Sequence, residues 1–414
     1  MNIASELRAR PVLGLGNILV GAEERALVEQ VLQSRSLNRY YATDPAHPPK
    51  MVATLEREFG AITGARFVLA VTSGSGALEC ALGALGLGPG DEVILPAWSW
   101  VACWTSIVHL GATPVLAEID ETLCLDPAEI DRLVTPRTKA VMVIHYQGVA
   151  SRMDAILERA RHHGLKVLED CAQSPGVSFG GRRVGTLGDI GIYSLQHNKP
   201  VCSGEGGLLV TDDPVLYERA VRMHDIGQYR APHAAQTPAC VPSFSGCQFR
   251  MSELTGAVAL AQIRRLDRMI AHCRGLHERV AAVIAVLPGL RLRELPDPAG
   301  IFGYELYYFA PSREIARTFT ERLTQANVNC GRRTGTYPHY TYEYCHTGND
   351  HSGRLPAFAQ LGEWPAAGYR AMDFPRTEDL SHRFVSIPLG VAYSTEDADY
   401  IGATIKRLSH EIAG

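Results

Sequence analysis

One lysine stands in a loop rich in serine and glycine, directly after an apolar run that predicts a strand over Ile190 to Tyr193. The loop reads S-L-Q-H-N-K-P-V-C-S-G-E-G-G from Ser194 to Gly207 and contains Lys199. A lysine amine becomes nucleophilic when its surroundings lower its pKa, and it can then form a Schiff base with an aldehyde cofactor such as pyridoxal phosphate. Lys199 is therefore the candidate for covalent cofactor binding, although a lysine beside a glycine turn is by itself more typical of a solvated surface.

An acid follows a second apolar run, in the segment V-L-E-D-C-A-Q-S that starts at Val167. This pattern predicts that Asp170 lies at the carboxyl end of a strand, where open α/β sheets bind ligands. A carboxylate there can keep a pyridine nitrogen protonated, which makes the ring an electron sink, and Gln173 is close enough to reach the phenolic oxygen of the ring. Taken alone, such an aspartate is more often a helix cap or a turn residue.

A hydroxyl-rich turn, T-S-G-S-G-A-L from Thr72, follows an apolar run and precedes helical apolar spacing. Such a strand-to-helix turn presents backbone N–H groups to a phosphate, and Ser194 offers a further hydroxyl. The turn is neither a Walker loop nor a G-x-G-x-x-G fingerprint, so no nucleotide site is indicated. An ordinary helix cap by Ser73 or Ser75 is the alternative.

Three of the four tryptophans lie together in the segment P-A-W-S-W-V-A-C-W from Pro96 to Trp104. An indole face can cover a flat cofactor ring and loses little entropy when it does so. Trp98 and Trp100 are equally typical of that contact and of packing in the core, whereas Trp104 is more typical of core packing.

These residues need a scaffold, and seven apolar runs predict its strands. Helical segments alternate with them in part, which predicts an α/β fold with a mainly parallel seven-stranded sheet flanked by helices. A long helical pattern from Ser252 to Val286 and a Pro/Gly-rich stretch then predict a large domain over 1–287 and a smaller α+β domain over 288–414. The runs are Phe67 to Val71, Glu92 to Leu95, Pro114 to Ala117, Ala140 to Ile144, Leu165 to Leu168, Ile190 to Tyr193 and Leu208 to Thr211.

Composition is that of a soluble metabolic enzyme. The 414 residues carry a net charge of −4, which argues against nucleic acid or anionic membranes as partners. The sequence has no apolar run of membrane-spanning length and no signal peptide, so we expect a cytoplasmic protein. Its ten cysteines include no C-x-x-C pair, and its fifteen histidines show no ligand spacing, so we expect no metal site.

Together these motifs, E-D-C-A-Q, S-x-Q-x-x-K, G-E-G-G and T-S-G-S-G-A-L, resemble the DegT/StrS family of pyridoxal-phosphate-dependent aminotransferases, from about Pro11 to the C-terminus. The resemblance implies the aspartate aminotransferase fold, fold type I. It also implies that Lys199 binds the cofactor and moves the proton during transamination, that Asp170 meets the pyridine nitrogen and that Gln173 touches the phenolic oxygen. By the same likeness, the phosphate and the ring face would be bound by Ser75, Gly76, Ser194 and Trp100.

A further segment, G-C-Q-F-R-M-S-E from Gly246, matches the family pattern G-x-N-x-R-M-S-E. In the family, the asparagine usually reaches the phosphate in the neighbouring subunit, which implies a homodimer with shared active sites. Here Gln248 takes that position. The extra methylene of glutamine leaves open whether Gln248 contacts the phosphate directly or through a water molecule. Arg250, two residues further on, is as typical of a structural ion pair as of a functional site.

Substrate residues are expected in two places. Family members commonly bind the sugar with an H-x-x-G loop, here His145-Tyr146-Gln-Gly, although a core histidine is an equal alternative. The segment between Asn329 and His351 is rich in Arg, Tyr and His, and it is either a polar pocket wall or a solvated loop. Its candidates are Arg332, Tyr337 and His339.

The resemblance implies transfer of the amino group of L-glutamine or L-glutamate to a ketone. Gln196, in S-x-Q-x-x-K, resembles the branch that acts on keto-cyclitols such as scyllo-inosose, in aminocyclitol biosynthesis. A nucleotide-linked keto-sugar is the alternative acceptor. A different pyridoxal-phosphate reaction or a non-catalytic regulator on the same fold also remain open, and the presence of Lys199 and Asp170 argues against both.

Overall fold

A computed structural model describes residues 11, 14–44, 46, 48, 50–331, 338–347 and 370–413. Its main sheet contains seven strands, in the order β1-β9-β8-β5-β4-β2-β3. The strands from β8 to β3 pair in parallel, whereas β9 is antiparallel to both β1 and β8. Including a short hairpin formed by β6 and β7, the strands are β1 (Phe67–Val71), β2 (Glu92–Pro96), β3 (Thr113–Ala117), β4 (Thr138–Ile144), β5 (Lys166–Asp170), β6 (Ser178–Phe179), β7 (Arg182–Arg183), β8 (Ile190–Ser194) and β9 (Gly207–Thr211).

Helices cover both faces of this sheet, which is why the strands are nearly continuous apolar runs. One face packs on α3, α4 and α7, and the other packs on α2, α5, α6, α9 and the first half of α10. In chain order these helices are α1 (Ala22–Ser34), α2 (Met51–Thr63), α3 (Gly74–Leu85), α4 (Ala102–His109), α5 (Ala128–Leu133), α6 (Met153–His163), α7 (Pro214–His224), α8 (Ala231–Ala234), α9 (Glu253–Ile263) and α10 (Leu266–Ile284).

A second, antiparallel sheet follows, with the strand order β10 (Arg291–Leu292), β11 (Glu305–Phe309) and β12 (Phe384–Pro388). In chain order the helices of this part are α11 (Arg313–Gln325), α12 (Glu343–Thr347), α13 (Pro375–Arg383) and α14 (Thr395–Ala413). The sheet packs on two of them, α11 and the C-terminal helix α14. The end of α10, including Leu276 and Ile284, also belongs to this core. The domain division at 287/288 stays a prediction.

The predicted α/β fold with a mainly parallel seven-stranded sheet is confirmed, and each predicted strand agrees with an observed one to within two residues. The helix predicted over Ser252 to Val286 is instead two helices, α9 and α10, which separate at Arg264 and Arg265. The apolar pattern hides this break because both helices bury residues in the same core. Within the described part of the chain, no helix is both long and apolar enough to cross a bilayer.

Candidate active site

A cavity of about 900 Å³ opens at the carboxyl edge of the main sheet. Asp170 is the last residue of β5 and Ser194 is the last residue of β8, and both line the cavity. Trp100 and Gln147 also line it, and they follow β2 and β4 in the chain. Because parallel strands present their carboxyl ends at one edge, residues that are distant in sequence meet here.

Lys199 lines the cavity from the turn that follows β8. Its backbone N–H donates to the carbonyl oxygen of Gln196 at 2.9 Å, and the backbone N–H of Asn198 donates to Gln196 Oε1, also at 2.9 Å. The side chain of Gln196 thus shapes the turn that carries the lysine. Gly207, at the start of β9, allows this strand to approach the turn that follows β1, because a Cβ on Gly207 would lie 2.3 Å from the carbonyl oxygen of Ser73.

The Asp170 carboxylate is only 4% exposed and is oriented by two donors. The backbone N–H of Ala172 donates to Oδ1 at 2.8 Å, and the thiol of Cys103 donates to Oδ2 at 3.0 Å. Burial, together with the Asp170 charge, raises the pKa of the Cys103 thiol well above its usual range, so the thiol keeps its proton at neutral pH. A buried acid is therefore fixed in the cavity wall and faces the interior.

The amino end of α3 forms one wall of the cavity. Ser73 caps this helix, since its Oγ accepts a hydrogen bond from the Gly76 N–H at 3.0 Å, and Ser75 and Ser194 line the cavity beside it. The positive end of a helix dipole and two hydroxyls suit a phosphate group. Gly76 does not line the cavity: its N–H is used in the cap, and a Cβ on this residue would lie 3.1 Å from the ring of Phe249.

Gln147 is a cavity residue that the sequence did not single out. It adopts a left-handed conformation with φ of 49°, which costs free energy for a residue other than glycine. Its backbone N–H donates to Gln173 Oε1 at 3.2 Å, and the Tyr304 hydroxyl donates to its Oε1 at 2.8 Å. Both amide oxygens are thereby bound, so the amide N–H groups of Gln147 and Gln173 remain as donors at the cavity wall. The H-x-x-G pattern pointed to this loop, and its glycine, Gly148, also has positive φ.

His145 and Tyr146, the other two residues of this loop, are fully buried and do not line the cavity. His145 Nδ1 accepts a hydrogen bond from the backbone N–H of Ser151 at 3.1 Å, so Nε2 carries the proton and donates to Glu169 at 2.9 Å. The Tyr146 ring packs edge-on against Trp98. The structure therefore places these two substrate candidates in the core behind the site.

The remaining candidates lie in several environments. His339 is fully buried away from the cavity, and burial lowers the pKa of its imidazole to about 3. Arg332 and Tyr337 lie outside the described residues. Trp100 is 49% exposed and lines the cavity. Gln248 is exposed and does not line the cavity, and its backbone forms an isolated antiparallel β-bridge with Asp225.

One buried cluster has the composition of a metal site: His145, Glu169 and Cys171 place their ligand atoms within 4.8 Å of one another. The Glu169 carboxylate already accepts hydrogen bonds from His145 and from the backbone N–H groups of Gly185, at 2.7 Å, and of Gly188, at 2.6 Å. A metal ion would have to displace these donors. The cluster is thus a hydrogen-bond network that fixes the loop before β8.

Comparison with known proteins relates nearly the whole chain to one protein family. Residues 20–406 match the model of the DegT/DnrJ/EryC1/StrS aminotransferase family. The spore coat polysaccharide biosynthesis protein SpsC of Bacillus subtilis is 33% identical over 387 residues, which cover 92% of this chain and 93% of SpsC.

Two solved structures extend this similarity. The crystal structure of 3-amino-5-hydroxybenzoic acid synthase is 26% identical, with a TM-score of 0.75, over 97% of this chain and 99% of that one. The structure of DesI in the presence of its TDP-sugar product is also 26% identical, with a TM-score of 0.72, over 98% of this chain and 95% of DesI.

Proposed function

The chain belongs to the DegT/DnrJ/EryC1/StrS aminotransferase family, and from this premise we propose that it transfers the amino group of L-glutamine or L-glutamate to a ring ketone of a keto-cyclitol, of the scyllo-inosose type. The chain is a pyridoxal-phosphate-dependent aminotransferase, and its substrates are a small-molecule amino donor and a keto acceptor. The acceptor and the roles of individual residues are the proposed part.

The cavity residues fit pyridoxal phosphate group by group. Lys199 suits the aldehyde, Asp170 suits the pyridine nitrogen and Gln173 suits the phenolic oxygen. The phosphate suits the amino end of α3 together with Ser75 and Ser194. Trp100 suits the face of the ring. When bound, this cofactor supplies an electron sink that stabilises negative charge on the substrate carbon. We propose these residues as the cofactor site.

The chain itself contributes proton handling and orientation. The Lys199 amine takes the proton from the α-carbon of the amino-acid donor, and it returns a proton to the acceptor carbon in the second half of the reaction. Asp170 holds the proton on the ring nitrogen, and its two hydrogen-bond donors fix the carboxylate in place for this task.

One observation carries the choice of acceptor: among the described residues that line the cavity, Lys199 is the only basic side chain. Three acidic residues, Asp170, Glu205 and Glu305, and several amides and hydroxyls line the same walls. Arginine and lysine groups stabilise the negative charge of a pyrophosphate, whereas the hydroxyls of a cyclitol need only hydrogen-bond donors and acceptors. The described walls therefore favour an uncharged polyol.

A nucleotide-linked keto-sugar is the second candidate. It is supported by the similarity to DesI, whose structure was determined with its TDP-sugar product, and to SpsC, a polysaccharide biosynthesis protein. Gly331 lines the cavity, and the next two residues in the sequence, Arg332 and Arg333, are basic. They are the candidates for contacts with the pyrophosphate of such a substrate.

The two acceptors can be separated in a half-reaction. The purified enzyme is converted to its pyridoxamine form with L-glutamine or with L-glutamate, freed of donor and mixed with scyllo-inosose or with a TDP-linked keto-hexose. We expect the visible absorbance of the pyridoxal form to return with scyllo-inosose. Return only with the TDP-linked sugar would establish the second candidate, and return with neither would refute both.

We also propose a homodimer in which Gln248 contributes to the site of its partner. Gln248 is exposed and lies outside the cavity of its own subunit, which is consistent with a role across an interface. Mixing two impaired variants, Lys199→Ala and Gln248→Glu, after reversible subunit dissociation tests this arrangement. Mixed dimers would contain one site free of both substitutions, so we expect activity to return, whereas a lack of recovery would contradict a shared site.

A further inference from the structure

The thiol of Cys103 directly contacts the carboxylate of Asp170, the residue proposed to meet the ring nitrogen of the cofactor. Cys103 lies in the first turn of α4 and is 2% exposed, and its Sγ donates to Asp170 Oδ2 at 3.0 Å. Its side chain packs in the core cluster that also contains Leu78 and Ile192.

The contact restricts the orientation of the carboxylate. The Ala172 N–H binds Oδ1 from the loop after β5, whereas the Cys103 thiol binds Oδ2 from a different element, α4. Two donors on two oxygens, each fixed by its own element, oppose rotation about the Cβ–Cγ bond of Asp170. A hydrogen bond to a charged acceptor contributes more than one between neutral groups, and burial strengthens it.

We propose that Cys103 is a positioning residue, whose thiol holds the Asp170 carboxylate in the orientation that meets the ring nitrogen of the cofactor. The proposal rests on the proposed assignment of Asp170 to that nitrogen. The thiol is suited to this task because it remains a donor: burial beside a carboxylate keeps it protonated, so it does not compete as a base.

Three variants test the donor separately from the packing. Cys103→Ala removes the thiol, Cys103→Ser keeps a hydroxyl donor in nearly the same space, and Cys80→Ala is the matched control. Cys80 lies in the same core cluster, is fully buried, and its thiol makes no hydrogen bond to the described residues. If Cys103→Ala fails to fold, Cys103→Val takes its place, since valine fills the space without a donor.

The readouts are the nitrogen NMR signal of isotope-labelled cofactor, which reports ring protonation, the affinity of the apoenzyme for pyridoxal phosphate, and steady-state kinetics. For Cys103→Ala we expect the ring-nitrogen signal to move towards the unprotonated position and kcat to fall about tenfold, with the acceptor KM unchanged. Cys103→Ser should restore both values, and Cys80→Ala should leave both at wild-type values even if it lowers thermal stability.

A wild-type ring-nitrogen signal and wild-type kcat in Cys103→Ala would overturn the proposal, as would an equal shift in Cys80→Ala. Asp170→Asn distinguishes this failure from a failure of the site assignment. If Asp170→Asn changes the ring-nitrogen signal and Cys103→Ala does not, only the role of Cys103 is wrong. If neither variant changes it, the assignment of Asp170 is wrong as well.

Discussion

Glu169 and Asp170 are consecutive residues of β5, and both are buried, yet their side chains lie on opposite faces of the sheet in different surroundings. Glu169 accepts four hydrogen bonds, three from backbone N–H groups of residues 185, 187 and 188 and one from His145. Asp170 accepts two from the described residues and lines the cavity.

The comparison shows that burial and charge alone do not identify a functional carboxylate. An ionised carboxylate has about four lone-pair sites, so the hydrogen bonds of Glu169 use its full capacity inside the protein. Asp170 retains acceptor capacity directed towards the cavity. We infer that Glu169 stabilises the fold and that Asp170 acts on the ligand, and four substitutions test this distinction.

The largest effect is expected for Asp170→Asn. The amide cannot hold the ring-nitrogen proton as a carboxylate does, so kcat should fall about a thousandfold, equivalent to about 4 kcal/mol in the activation free energy. The free energy of unfolding should change little. Both half-reactions, followed separately in a stopped-flow spectrophotometer, should slow; wild-type rates would remove Asp170 from the site.

Glu169→Gln should have the opposite profile. The new amide group turns an NH₂ towards backbone donors that previously bound a carboxylate oxygen, which we expect to cost about 3 kcal/mol of the free energy of unfolding. Equilibrium unfolding in urea measures the loss, and kcat per folded molecule should remain near that of the wild type. A stable variant with a strongly reduced kcat would reverse the roles given to the two acids.

His145→Phe tests whether this histidine belongs with Glu169 or with the substrate. The substitution leaves the Ser151 N–H and one side of the Glu169 carboxylate without their imidazole partner, so we expect a loss of about 2 kcal/mol in the free energy of unfolding. The acceptor KM should stay unchanged. A raised acceptor KM in a variant of normal stability would place His145 in the substrate site instead.

The smallest effect is expected for Gln147→Leu, on the Asp170 side of the comparison. Loss of the amide donor at the cavity wall should raise the acceptor KM about fivefold, with the donor half-reaction unchanged. Gln147→Gly is the matched control for backbone strain, since glycine adopts the left-handed conformation freely but also lacks the amide. Equal acceptor KM values in wild type and both variants would show that the amide does not contact the acceptor.

The sheet was predictable because its strands are covered on both faces and therefore appear as apolar runs. The strand order was not, because the position of β9 between β1 and β8 depends on contacts between residues about 140 positions apart, such as Phe67 and Thr211. The break between α9 and α10 was also hidden, since Arg264 and Arg265 interrupt the helix without interrupting its buried face.

For the site, motifs predicted residues that the structure brings to one cavity, including Lys199, Asp170 and Ser75. They did not predict which side of a loop faces the ligand. His145 turns into the core because Glu169 and the Ser151 N–H bind it there, and Gln147 reaches the cavity through a left-handed backbone conformation that a glutamine in the sequence does not indicate. Cys103 had no motif, because its role depends on a contact between α4 and β5.

The central claim is that Lys199 carries the cofactor in this cavity. Reduction of the pyridoxal-phosphate enzyme with sodium borohydride fixes the cofactor to the lysine that holds it, and peptide mass spectrometry then locates the modified residue. We predict the modification on Lys199, with none in Lys199→Ala treated in the same way. Modification of another lysine, or of none in the wild type, would contradict the account.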